Sequence, residues 1–318
     1  MSTLFEILRC PACKGALEQT AKRFRCPRCE ADYPIIDGIP DLIPGFVDEQ
    51  IKKMTAGWNN LGYDYDAFIN QTAPERLQAI DVPLLAQCAD GKMVLEIGCG
   101  TARLKKPVEQ AGGQYIGLDP SLKLLRQGVA RGERELIRGV GEYLPFPGGY
   151  FDAIIGGYCS FRYIQLDKLY PECARVLKPG GVLAFTLWNN WALFFHSIVH
   201  NVRQKKLHAP PFKIGNCNDV VSPGREIKRL AQFGFTIESI LSTKYVPLLK
   251  RLPLLRSLFS RQGYWSGVLG ALIGYDIIFI CSAPWRHGPQ KDPDVRLRVG
   301  ASAGTSSGHS NSESSNNL

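Results

Sequence analysis

A chain of 318 residues, 45% hydrophobic and 21% charged, has the length of about two domains and the composition of an ordinary globular protein. Those values exclude a wholly disordered chain, a collagen and a coiled coil. The formal net charge of +9 is uneven: residues 1–172 hold 20 basic and 22 acidic side chains, whereas 173–275 hold 14 basic ones against only Asp219, Glu226 and Glu238. The second stretch either faces something anionic (nucleic acid, an anionic lipid surface or a phosphorylated substrate) or is a solvated cationic surface.

The first residues, MSTLFEILRCPACKG, contain no apolar h-region, so no signal peptide is expected and a cytoplasmic location is. The most apolar run, 263–283, is interrupted by Tyr264, Trp265, Ser266, four glycines and Asp276. It is a poor bilayer span, so no transmembrane segment is expected. Of ten cysteines, four are clustered and six scattered, which suits a reducing compartment better than a disulfide framework.

In chain order, the cluster comes first. Cys10-Pro-Ala-Cys13 and Cys26-Pro-Arg-Cys29 are two CxxC pairs separated by twelve residues. Each pair forms a knuckle that aims two thiolates at one ion, and two knuckles supply the four sulfurs that a structural Zn²⁺ prefers. A redox CxxC or unligated cysteines are the competing readings. No histidine precedes His196, and a closed four-sulfur site leaves no position for catalysis. A segment this small hardly folds without such a staple. The following run, residues 31–44, reads as a short strand, an Asp37-Gly38 turn and an extended exit. With Leu4 to Leu17, it resembles the small zinc-ribbon family that includes the activator subunit of tRNA and translation-factor methyltransferases. Such ribbons also occur fused ahead of methyltransferase domains, so the resemblance implies a methyltransferase neighbour and no particular substrate.

Residues 46–90 are predicted to form one or two helices, with apolar spacing at Leu77, Ile80, Leu84 and Leu85. The aromatics Trp58, Tyr63, Tyr65 and Phe68 either cover a ligand or pack on the sheet. Next, Met93 to Ile97 is an apolar strand running into Gly98-Cys99-Gly100, whose glycines allow close approach of a ligand. A helix is expected over 103–111 and a second strand at Tyr115 to Leu118, ending in Asp119. That acid lies 23 positions after Glu96, where a carboxylate at a strand tip binds the hydroxyls of a ribose. Further strands are expected before Gly141, at Phe151 to Ile155 and at Val182 to Thr186, then at Phe233 to Ile240 and Tyr275 to Ser282. Strands alternating with helices imply a doubly wound α/β sheet.

A dinucleotide fold would place a third glycine at 103, where Arg103 stands. The features ExGxGT, LDPS, GEYLPFPxxYFDAI and ECARVLKPGGVLAF instead resemble the class I S-adenosylmethionine methyltransferases, in particular the quinone- and sterol-methylase-like subgroup, over residues 90–190. The resemblance implies a seven-stranded sheet with a terminal antiparallel hairpin. It implies Glu96, Gly98 and Gly100 beside the methionine and ribose, Asp119 on the ribose hydroxyls, Gly141 and Glu142 beside adenine, and Gly157 and Tyr158 near the methionyl group. Two departures stand out. Ala102 replaces a frequent glycine, and Val140 stands where an acid commonly reaches the adenine amine, so that Glu142 or the backbone replaces it or adenine is held more by apolar contact.

Methyl transfer needs no obligatory acid or base, because the donor sulfur departs neutral. Tyr158, His196 and His200 are the catalytic candidates: Tyr158 follows the fourth strand, where the resemblance implies acceptor contacts, and the two histidines, sharing a helix face at i, i+4, could bind a metal or provide a base. A solvated or packed face is the alternative for that pair. Residues 191–206 read as an amphipathic helix with a cationic end. The stretch 246–274 sets leucines among Lys250, Arg251, Arg256 and Arg261 with no acid. That pattern suits peripheral contact with an anionic membrane, an apolar lid or a packed helical insertion. Residues 286–318 read as a disordered tail. The domains expected are a zinc ribbon (1–45), a helical linker or cap (46–90) and a methyltransferase domain (91–285). The activity expected is S-adenosylmethionine-dependent methylation of an apolar or amphiphilic small molecule. An RNA methyltransferase that holds RNA with its ribbon and basic region, and a non-catalytic activator, are the alternatives.

Overall fold

Short antiparallel strands build the N-terminal segment: β1 (Glu18–Gln19), β2 (Arg23–Arg25), β3 (Asp32–Ile36) and β4 (Ile39–Pro40) pair in that order. They follow a single helical turn, α1 (Leu4–Ile7). The β3–β4 turn is Asp37-Gly38, with φ of 53° and 79°, the mirror-image turn whose twist matches that of a hairpin. Our computed structural model describes residues 4–62, 64–72, 85–86, 88–188, 222–243, 264–266 and 276–285.

The larger sheet has strand order β11-β10-β12-β9-β8-β5-β6-β7. The parallel strands are β5 (Met93–Ile97), β6 (Gln114–Asp119), β7 (Leu136–Arg138), β8 (Phe151–Gly156) and β9 (Leu177–Trp188). β10 (Thr236–Thr243) and β12 (Asp276–Ser282) form the expected antiparallel pair beside β9. The seven strands anticipated are thus present. A short eighth, β11 (Tyr264–Ser266), adds to the β10 edge from within the 246–274 stretch. Apolar runs such as Val94-Leu95 and Ala153-Ile154-Ile155 are fully buried because helices cover a parallel sheet on both faces. The helices are α2 (Glu49–Asn59), α3 (Tyr65–Thr72), α4 (Lys105–Gln110), α5 (Leu122–Ala130), α6 (Leu166–Val176) and α7 (Pro223–Gln232). Most of the helix predicted over 74–89, the helix over 191–206 with His196 and His200, the remainder of 246–274, and 286–318 lie outside the described residues.

The ribbon and the sheet share one core. Leu4, Leu8, Phe24, Tyr33 and Leu42 pack into the same buried cluster as Leu144, Phe146, Phe151 and Leu169. Backbone bonds also cross: Arg9 N–H donates to the Pro145 carbonyl (2.9 Å) and Leu42 N–H to the Arg138 carbonyl (2.8 Å). Asp41 forms a parallel bridge with Arg138 at the β7 edge, and Lys14 pairs with Glu172 at 2.7 Å. Strand order reverses between β5–β6 and β8, the point at which open α/β sheets bind ligands beyond their carboxyl ends.

Candidate cofactor cavity and four-cysteine centre

A cavity open to solvent lies at that reversal. Its floor is the turn after β5, with Ile97, Gly98, Cys99 and Gly100, and its flanks carry Asp119 and Pro120 after β6, Val140 to Glu142 after β7, and Gly157, Tyr158 and Ser160 after β8. Gly98 has φ of 76°, and a Cβ there would stand 2.4 Å from that of Ser160. Ser160 cannot easily retreat, because its hydroxyl donates to the Ile97 carbonyl at 2.8 Å. Ala102 also adopts a left-handed φ, of 62°, without the freedom of glycine. Tyr158 and Cys159, at 53° and 58°, do so in succession. Strain of this kind persists where surroundings over-determine it, and here Cys159 N–H donates to the buried Thr186 hydroxyl at 2.8 Å.

Two carboxylates face the cavity. Asp119, 6% exposed, accepts Ser121 N–H and Gly100 N–H, both at 2.8 Å. Burial pushes its pKa up to about 6, although those two N–H groups pull the other way. Glu142 is equally buried. Its Oε1 accepts Gln165 N–H at 2.9 Å, while Oε2 has no partner, and burial raises its pKa. Glu96 stands behind the wall rather than on it. Burial lifts its pKa to about 8, favouring the neutral acid although the Tyr115 hydrogen bond pulls the other way, and its carboxyl accepts from the Tyr115 hydroxyl. Glu96→Gln should therefore be well tolerated, whereas Glu96→Ala strands a buried hydroxyl and should cost ~1–3 kcal/mol in urea unfolding.

The outer wall comes from the segment that leaves the ribbon. Met54 and Trp58 of α2 and Tyr65 of α3 line the cavity. Trp58 meets Tyr65 and Tyr163 edge to face, with ring centroids 6.0 and 5.1 Å apart. Asp66 fastens α3, accepting from the Thr101 hydroxyl (2.8 Å), Arg103 Nη1 (3.1 Å) and Arg131. Arg103, which takes the place of a dinucleotide-binding glycine, also donates to Asn70 Oδ1 at 2.8 Å and lies over the Tyr158 ring. Trp58 and Tyr65 thus cover the cavity, Phe68 is exposed, and Tyr63 lies outside the described residues.

At the other end of the shared core, the sulfurs of Cys10, Cys13, Cys26 and Cys29 lie within 4.8 Å of one another. Cys10 and Cys29 are 3.5 Å apart and Cys13 and Cys26 3.4 Å, too far for a disulfide. A tetrahedron of sulfurs about 2.3 Å from zinc has edges of roughly 3.8 Å, so the donor set fits that ion.

Comparison with known families assigns residues 95–185 to the methyltransferase domain family and residues 2–38 to the Trm112p-like protein family. The chain carries a class I methyltransferase domain behind a Trm112-like ribbon. The methyltransferase domain is 29% identical over 162 residues to a fatty-acid O-methyltransferase of Mycolicibacterium smegmatis, spanning 46% of this chain and 57% of that protein. It is 34% identical over 96 residues to a demethylmenaquinone methyltransferase of Tropheryma whipplei, spanning 29% of this chain and 40% of that protein. The chain therefore spans only 40–57% of the length of these curated relatives. A solved geranyl diphosphate C-methyltransferase from Streptomyces coelicolor superposes with a TM-score of 0.48 at 18% identity, over 74% of this chain and 99% of that one.

Of the residues anticipated for cofactor contact, Gly98, Gly100, Asp119, Gly141, Glu142, Gly157 and Tyr158 all line the cavity of the methyltransferase domain, and Glu96 does not. Sequence reasoning missed Met54, Tyr163, Ile164 and Arg103 on the wall, and Asp66 as its fastening. No local pattern marks them, because their partners lie tens of residues away.

Proposed function

We propose that this protein transfers the methyl group of S-adenosylmethionine to an apolar or amphiphilic small molecule. The observation that carries the reading is the pair of buried carboxylates, Asp119 at a strand tip and Glu142 with an unpaired oxygen, in a mostly apolar cavity at the sheet's switch point. Asp119 accepts the ribose hydroxyls. Glu142 Oε2 accepts from the adenine amine, which Val140 cannot do. The bound cofactor supplies a methyl group on a cationic sulfur that departs neutral. What remains for the chain is alignment, worth most of the rate in such transfers, and exclusion of water by α2 and α3. A base is required only for an acceptor whose proton has a high pKa, and Tyr158 is the described candidate. The apolar wall and the activities named for the relatives support an apolar acceptor. Cys10, Cys13, Cys26 and Cys29 hold one structural zinc. The 246–274 stretch is read from sequence as a peripheral contact with anionic membrane.

Incubating the protein with methyl-labelled cofactor and cell extract tests the reading. Label should enter the lipid-soluble fraction; label in RNA instead would replace the acceptor class. The cofactor site has its own test. Ribose hydroxyls donate to the ionised carboxylate, so bound cofactor lowers the pKa of Asp119 below its free value of about 6. Affinity is then full above pH 6 and falls as pH drops through it, approaching tenfold per unit. Calorimetry with S-adenosylhomocysteine should show this decline in the wild type. Asp119→Ala should bind ~10–100-fold more weakly at pH 7.5 and lack the decline. A folded variant with wild-type affinity would reject the assignment.

A further inference from the structure

Among the described residues, the buried charged side chains are Glu96, Lys105, Asp119, Glu142, Arg162 and Glu226. Five have polar partners. Glu96 has the Tyr115 hydroxyl, Lys105 has Glu133 and Glu135, Asp119 has two backbone N–H groups, Glu142 has Gln165 N–H, and Glu226 has Tyr170 and Arg229. Arg162 is the exception. It is 6% exposed, no described acid lies within ion-pair reach, and its buried Nη1 has no hydrogen-bond partner. Its guanidinium carbon lies over aromatic rings instead, 3.8 Å from the Trp188 centroid and 5.2 Å from that of Tyr163. Contact with the rings offsets part of the cost of burying a cation, but it leaves Nη1 without a hydrogen-bond acceptor. A buried guanidinium with an unpaired N–H donor suits an oxyanion.

The placement bears on the reaction. Arg162 belongs to the short helix Ser160–Tyr163 that follows β8, and Trp188 ends β9, so the cation sits beyond the carboxyl ends of two adjacent parallel strands. Arg162 is not itself on the cavity wall. Its neighbours Ser160, Tyr163 and Ile164 are, and Tyr163 contacts both the guanidinium and the Trp58 ring. The carboxylates proposed for the cofactor, Asp119 and Glu142, follow β6 and β7, on the other side of β5 from β8 and β9.

We infer that Arg162 binds an oxyanion on the methyl acceptor, which is therefore an anionic amphiphile: a carboxylate or phosphate head on an apolar body that lies along the aromatic wall. The inference rests on the methyltransferase reading and narrows its acceptor. Arg162 is a specificity residue in this account and takes no part in bond making.

Calorimetry on the full chain saturated with S-adenosylhomocysteine, using decanoate, decyl phosphate and decanol as probes, tests it. The wild type should bind decanoate or decyl phosphate at least ~10-fold more tightly than decanol, as expected for a charge-assisted contact. The preferred head tells carboxylate from phosphate. Arg162→Gln should erase that preference while leaving S-adenosylhomocysteine affinity unchanged, and Arg162→Lys should retain part of it. Equal wild-type affinity for anion and alcohol overturns the inference, and that comparison does not depend on how the variants fold. A variant that keeps the anion preference but loses S-adenosylhomocysteine affinity also overturns it, assigning Arg162 to the cofactor's own carboxylate. Failure of the wild type to bind S-adenosylhomocysteine at all counts against the methyltransferase reading instead.

Discussion

Serine in place of both Cys26 and Cys29 is expected to abolish metal binding and, with it, most of the affinity for the cofactor some distance away. Structural zinc sites of this type release ~10–16 kcal/mol on binding, and that energy is folding energy for the segment that carries the ligands. The ribbon has little else. Its strands are two to five residues long, and Cys10, Cys26, Phe24 and Tyr33 are buried in a cluster completed by the methyltransferase domain. Three connections carry the loss onward. Leu42 N–H holds the Arg138 carbonyl. The Asp41 carboxylate pairs with the Arg138 guanidinium, whose Nε donates to the Pro120 carbonyl at 3.1 Å, next to Asp119. The chain leaving the ribbon becomes α2, which supplies Met54 and Trp58 to the cavity. Zinc content should fall from about one per chain to none, and the dissociation constant for S-adenosylhomocysteine should rise at least ~10-fold. Two results would count against this account: metal content unchanged in the double variant, or metal lost while cofactor affinity stays at its wild-type value.

Gly98→Ala should be the most damaging single methyl group in the cavity. The left-handed φ of 76° costs an alanine ~1–2 kcal/mol, and its Cβ would stand 2.4 Å from the Ser160 Cβ, so overpacking adds a further ~1–3 kcal/mol. The turn that carries Gly100 N–H to Asp119 shifts as a result, and cofactor binding should fall below detection. Gly38→Ala is the control. Its φ is 79°, yet nothing lies within 4 Å of the added Cβ, so only the backbone part should appear and cofactor binding should persist. Ser160→Gly in the Gly98→Ala background removes the clashing atom and should restore part of the stability. Chemical unfolding of the four proteins separates the two contributions. Equal destabilisation at Gly38 and Gly98 would show that Ser160 does not constrain this turn.

Much of the molecule is determined by short-range pattern. Two CxxC pairs twelve residues apart mark Cys10, Cys13, Cys26 and Cys29 as a candidate four-sulfur set from spacing alone. The Asp37-Gly38 pair sets its hairpin through the backbone angles it alone tolerates cheaply. Alternating apolar strands and helices fix the sheet, and Asp119 announces itself by standing at the end of the second parallel strand. Each of these signals spans a few residues and needs no knowledge of neighbours. The tertiary structure decided what depends on packing between distant segments. It put Glu96, which the family resemblance places beside the ligand, behind the wall as a buried partner of the Tyr115 hydroxyl, because packing and not sequence position decides which carboxyl reaches the cavity. It brought α2 and α3 over the cavity through Asp66, Arg103 and Arg131, residues up to 65 positions apart. It left Glu142 Oε2 and Arg162 Nη1 without partners, and an unmet hydrogen bond becomes visible only when everything around it has been packed.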